Sequence, residues 1–184
     1  LLLTGNVLLV VACASVLLGT LYPLIMDALK IGKISVGPPY FNAVFVPIMV
    51  PVLLLMAVVP MARWKQTHLP DLLPRVWVPA ALALLTAGWV PYAMGGWTVL
   101  TALGAGSAVW IAALCIAQLA RRLRSGFPPA AYWGMQLGHL GVAVFVLGVT
   151  MVGGFQQEQD VRMEPGDTVV VAGYQFTMKG VQTV

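Results

Sequence analysis

Charge is what this 184-residue chain has least of. Only 9% of its residues are Asp, Glu, Lys or Arg, against 60% hydrophobic ones, and its mean hydropathy is +0.90. So few charges cannot clothe a water-soluble domain, which leaves an integral membrane protein. Cysteine is nearly absent as well. Cys13 and Cys115 each sit inside an apolar run, which excludes a disulfide framework and a Cys-x-x-Cys-His attachment site, and both read as small packing residues. There is no carboxylate pair inside an apolar run for proton-coupled transport, no glycine-rich phosphate loop, and no Ser, Cys or Asp placed beside a base as a nucleophile. The arginines form short clusters beside apolar runs with no aromatic-basic surface, so no nucleic acid is expected as a partner.

What the chain does have is long apolar runs. A hydrocarbon core takes roughly 20 apolar residues per helix, and charges and Pro/Gly clusters divide the chain into five spans, near 3–26, 41–61, 76–94, 98–120 and 129–153. The stretch from Val76 to Ala120 has no charge but is too long for one helix, and Pro91 and Gly95-Gly96 break it into a tight hairpin. Pro128-Pro129 stands where the fifth helix begins, a position that tolerates a missing N–H. The expected architecture is an all-α polytopic membrane protein over 1–155, about five transmembrane helices, followed over 156–184 by the start of a small extracytoplasmic β domain. Because the chain opens on Leu1-Leu2-Leu3 and stops at Val184 within a strand-like pattern, it is expected to be part of something larger.

Orientation follows from the basic residues. Arg63, Lys65 and Arg75 flank the link between spans two and three, and Arg121, Arg122 and Arg124 follow span four; Lys30, Lys33, Arg162 and Lys179 lie on the other side. The positive-inside rule puts the first group in the cytoplasm, and with it the amino terminus, while everything after span five lies outside. There, after Gly153-Gly154, short alternating runs read as strands: Val161-Arg162-Met163, the turn Glu164-Pro165-Gly166-Asp167, Thr168 to Val171, a turn at Ala172-Gly173, then Tyr174 to Val181.

His139 stands alone in an otherwise uncharged stretch, Ser125 to Gln157, in which Tyr132 is the other ionisable side chain. Ionisable groups inside membrane spans are rare, face the bundle interior and mark cofactor, ion or proton sites, and imidazole is a common metal and haem ligand. A structural histidine bonded to a neighbouring hydroxyl or carbonyl is the other reading. Helical spacing puts Tyr132, Met135, Gln136, Ala143, Val146 and Thr150 within about a quarter-turn of His139, and Gly134, Gly141 and Gly148 opposite. The glycines are expected to admit a neighbouring helix at close range. The mostly apolar histidine side is expected to face a cavity, with Tyr132, Gln136 and Thr150 available to orient the second ring nitrogen or a propionate. His68, among Thr67, Leu69 and Pro70, reads as a solvated loop residue.

The external loop carries the most distinctive wording. Ile34-Ser35-Val36-Gly37-Pro38-Pro39-Tyr40-Phe41-Asn42, preceded by Gly19-Thr20-Leu21-Tyr22-Pro23, resembles the CcmF family of cytochrome c maturation proteins and its nitrite-reductase-specific paralogues. Gly138-His139-Leu140-Gly141-Val142-Ala143-Val144-Phe145 resembles the segment holding one of that family's two transmembrane histidines, and the likeness extends to the Pro-Gly-Asp turn and to Gly173-Tyr174-Gln175-Phe176. The resemblance implies a haem lyase of the bacterial inner membrane, its C-terminal segment periplasmic. It implies that haem comes from the haem chaperone CcmE and is attached to an apocytochrome c delivered with CcmH-type thiol partners. It also implies that His139 is an axial iron ligand of a resident haem b. The second ligand, the tryptophan-rich segment and the two external histidines of the family lie outside the part matched here. The Tyr40-Phe41 pair at a span entrance reads as an aromatic belt or a binding site. Two other classes share the apolar bundle: a secondary transporter fragment, which calls for several ionisable groups on broken midplane helices, and a haem-b quinol-oxidising electron-transfer subunit, which does not attach haem covalently.

Overall fold

The computed structural model describes residues 2–61 and 69–180. Arg63, Lys65, His68 and the Val181 end of the expected last strand lie outside the described residues. Five helices follow one another: α1 (Leu2–Ala28), α2 (Pro38–Val58, ending in a 3₁₀ turn over Val59–Met61), α3 (Leu69–Ala93), α4 (Val99–Arg124) and α5 (Ala130–Phe155). All five are long and apolar enough to cross a membrane. Two strands, β1 (Thr168–Val171) and β2 (Tyr174–Thr177), complete the chain. The protein is a polytopic helical membrane protein with a small sheet near its carboxyl end.

Hydrocarbon supplies no water, so every backbone N–H and C=O at membrane depth must pair within the protein. Proline makes that harder, since each removes a donor and leaves a carbonyl open, and here Pro47 and Pro51 interrupt α2 while Pro74, Pro79 and Pro91 interrupt α3. Side chains of α4 pair two further carbonyls of α2, distinct from those of Ala43 and Pro47 that its prolines open. Trp110 Nε1–H donates to the Leu54 carbonyl at 3.1 Å, and Gln118 Nε2–H donates to the Ala57 carbonyl at 3.2 Å. Ala57 lies in the last turn of α2, where carbonyls lack an intrahelical partner. α4 therefore caps α2 while packing on it.

α4 is the centre of the bundle. It packs chiefly against α3, α5 and α2, and its Ile111 and Leu114 are 0% exposed. Its first turn is closed by a reciprocal pair, Thr98 Oγ1 accepting from Thr101 N–H and Thr101 Oγ1 accepting from Thr98 N–H, which satisfies two otherwise orphaned donors. Its last turn carries Arg121, Arg122 and Arg124, the sign that a helix carboxyl end favours.

The α4–α5 contact rests on two glycines that accept each other's threonines. Gly104 of α4 lies against the Thr150 side chain of α5, and Gly154 of α5 lies against Thr101 of α4, so tightly that a Cβ at either glycine would overlap its neighbour. The expected glycine face is corrected by this. Gly134, Gly141 and Gly148 meet nothing within 4 Å among the described residues. α5 turns its histidine side inward instead, with Gln136 and Ala143 buried. Periodicity assigns residues to faces; it does not say which face finds a partner.

Gly19 and Tyr40 join α1 to α2. A Cβ on Gly19 would stand 2.6 Å from Tyr40 Cε1, and the Tyr40 hydroxyl donates to the Ser15 carbonyl at 3.0 Å. Two of the strings that carry the family resemblance thus touch, and Tyr40 is a clasp between helices rather than a free belt residue.

β1 and β2 form an antiparallel hairpin in which Val171 pairs with Tyr174 and Thr168 with Thr177. Ala172 and Gly173 both have positive φ, 53° and 82°, the backbone of a two-residue hairpin turn whose twist matches its strands. The expected strand at Val161-Arg162-Met163 does not form among the described residues.

Replacing Gly104 by Val should cost about 1–3 kcal/mol through overpacking and lower the yield of monodisperse protein on size exclusion. Thr150→Ala in the same chain should restore part of it. A Gly104→Val protein recovered at normal yield would mean that α4 and α5 are not locked there.

Candidate functional site

His139 sits midway along α5, between the buried Gln136 and Ala143, and is itself half-buried. Its Nδ1 lies 2.8 Å from the Met135 carbonyl oxygen one turn earlier. A carbonyl only accepts, so Nδ1 carries the proton and Nε2 keeps its lone pair. This is how metal-bound histidines are held in one tautomer, the second nitrogen anchored so that the first points at the metal. No partner is recorded for Nε2, and no buried side-chain nitrogen or oxygen among the described residues is left unpaired, so Nε2 is accessible rather than sealed in the core. A ring with one nitrogen spent on its own helix and the other bare and reachable fits an axial iron ligand.

The polar side chains around it are arranged differently from the sequence expectation. Tyr132, Gln136 and Thr150 do not orient the imidazole; the backbone of Met135 does. Thr150 Oγ1–H donates to the Val146 carbonyl at 2.7 Å, and Gln136 Nε2–H donates to the Tyr132 hydroxyl oxygen at 2.7 Å. The backbone anchor leaves no trace in sequence, since every helical residue has a carbonyl four positions earlier.

A half-open cleft of about 410 Å³ lies between α2, α4 and α5. Its walls include Phe45, Met49, Leu103, Ser107, Phe145 and Thr150, and no charged residue. His139 is not among its lining residues. The expected cavity therefore exists on the same helix but begins two turns further on, from Phe145 to Gly154. It was illegible in sequence because its walls come from three separate segments, although the small residues Gly104 and Ser107 are a local sign of open space. His68 lies outside the described residues. Among the described residues no three His, Cys, Asp or Glu side chains gather as a metal-ion cluster, so His139 offers one ligand and not a complete coordination set.

Comparison with known proteins gives the family. The chain is 40% identical over 190 residues to the cytochrome c-type biogenesis protein CcmF of Pseudomonas fluorescens, a match covering 98% of this chain and 28% of the relative. It is 40% identical over 188 residues to CcmF of Escherichia coli, covering 100% of this chain and 29% of that protein. The cytochrome c-type biogenesis protein NrfE of Haemophilus influenzae is 32% identical over 181 residues, 93% of this chain and 27% of its own length. This chain is homologous to a C-terminal part of the CcmF-type cytochrome c biogenesis proteins. It spans less than a third of the length of these CcmF-type relatives. No family model matches, and no solved structure does.

In haem-free CcmF-type protein carrying this segment, nitrogen-15 NMR of labelled histidine should show His139 protonated at Nδ1 and bare at Nε2. The opposite tautomer would break the link between the Met135 carbonyl and a ligand-ready Nε2.

Proposed function

We propose that this chain is the part of a CcmF-type haem lyase that supplies one axial ligand, His139, to a haem b held within the membrane, in a protein that attaches haem covalently to apocytochrome c. The observation that carries the reading is the free, accessible Nε2 of a lone histidine at membrane depth, in a chain homologous to cytochrome c biogenesis proteins. A bound haem would supply a redox-active iron. The protein's own share is narrower: Met135 holds the imidazole in one tautomer, and the packing of Gln136 and Ala143 against the bundle fixes the rotation of α5.

In this reading the arginines at the end of α4 lie in the cytoplasm of a bacterium, the protein sits in the inner membrane, and the hairpin β1–β2 stands in the periplasm, the compartment where CcmE, CcmH-type thiol proteins and apocytochrome c would meet it. The basic distribution supports that orientation. The transporter alternative finds less support, since the described spans carry one histidine and no intramembrane carboxylate cluster.

Reporter enzymes fused after Arg124 should be active only in the cytoplasm, and those fused after Asp160 only in the periplasm; the reverse pattern overturns the orientation. In cells lacking the corresponding gene, the full-length protein should restore covalent haem on several unrelated c-type cytochromes, and the His139→Ala form should not. Full restoration by the Ala form would remove His139 from the function, and normal cytochromes in the deletion strain would favour a plain electron-transfer role.

A further inference from the structure

Three polar side chains, Tyr132, Gln136 and Thr150, share the inward face of α5 with His139. Thr150 donates to its own helix at Val146, and Gln136 donates to the Tyr132 hydroxyl oxygen at 2.7 Å. Gln136 is only 3% exposed, so neither lipid nor water competes for it. Because the Tyr132 oxygen accepts that bond, its own O–H proton has to go elsewhere, and no acceptor for it occurs among the described residues. The result is a hydroxyl held in place by a buried amide, with its donor unclaimed.

Its position indicates what it donates to. Tyr132 stands two turns before His139, about 10 Å along the axis, in the first turn of α5. That end of the bundle is also where α4 finishes in Arg121, Arg122 and Arg124. An acid group is costly at membrane depth and tolerable at a helix end beside basic residues. At the other end of α5 the hydroxyl of Thr150 is spent and the cleft lining carries no charge. A ligand that coordinates through a metal at His139 and also bears carboxylate arms finds a placed O–H donor beside basic residues at the Tyr132 end, whereas the cleft at the other end offers the uncharged Asn42 and Ser107 without a basic residue.

We infer that Tyr132, braced by Gln136, is a binding residue for a carboxylate of the group that His139 ligates, in chemical terms a propionate of a metalloporphyrin. This rests on the reading of His139 as an axial ligand and assigns the carboxyl-bearing edge of the porphyrin to the arginine-rich end of the bundle. A hydrogen bond to a charged acceptor is worth enough to change retention of the ligand by about tenfold.

The test uses the full-length protein. Tyr132→Phe should keep its haem and the visible bands of a histidine-ligated iron, lose haem to a scavenging globin about tenfold faster than the parent, and shift the propionate-bending band in resonance Raman spectra. Reconstitution gives a second route that does not depend on that variant folding well: the parent protein should release haem dimethyl ester about tenfold faster than haem. Where Tyr132→Phe is recovered, it should not distinguish the two. Equal retention of acid and ester by the parent overturns the inference, as does an unchanged bending band and release rate in Tyr132→Phe. Failure of the underlying reading looks different: His139→Ala would then keep the parent's haem spectrum, whereas failure of the Tyr132 inference alone leaves His139→Ala without haem.

Discussion

A hydrocarbon interior offers no hydrogen bonds, and the arrangement of this protein follows from that one constraint. Helices meet most of it by pairing their own backbones. The remainder is met by a few side chains, and each has a structural consequence. Trp110 and Gln118 pair carbonyls of a proline-interrupted helix and so bind α4 to α2. Tyr40 reaches the Ser15 carbonyl and so binds α2 to α1. His139 pairs with the Met135 carbonyl, and the same bond that satisfies it in lipid also decides which nitrogen keeps a lone pair. In the proposed reading, the need to pair a polar group and the preparation of a ligand are one interaction.

Such a ligand is useful only if its helix cannot turn. Rotation of α5 by one residue would move His139 off its face, and the reciprocal seats of Thr150 on Gly104 and Thr101 on Gly154 forbid it near the carboxyl end of the helix. Burial of Gln136 and Ala143 does the same nearer the histidine. The side of α5 opposite His139 meets little among the described residues, with Leu137 and Val144 exposed and Gly134, Gly141 and Gly148 in open space there. In the longer CcmF-type relatives more than two thirds of the protein lies beyond the matched part, so such a face is suited to helices from that remainder as well as to lipid.

The spans were legible because hydropathy needs no knowledge of partners, and so was the Ala172-Gly173 turn, since Gly readily takes the positive φ that such a turn demands. His139 was legible as an anomaly of composition, one imidazole in a run without charge. What failed were statements about who meets whom. The glycines opposite His139 were read as a contact face and meet nothing within the described residues, while Gly104 and Gly154, spaced without a stripe, make the close approach. Val161-Arg162-Met163 has strand alternation and stays outside the two-stranded sheet. The anchor of the imidazole and the walls of the cleft were hidden for the same reason: one is backbone and the other is assembled from three distant segments.

The central claim is that His139 binds iron through Nε2, and the visible spectrum of purified full-length protein tests it most directly. With haem content measured alongside, His139→Ala should lack the haem bands or show them strongly shifted, while His68→Ala should match the parent. A His139→Ala protein with the parent's spectrum and stoichiometry would contradict the account and return the histidine to a structural contact with its own helix.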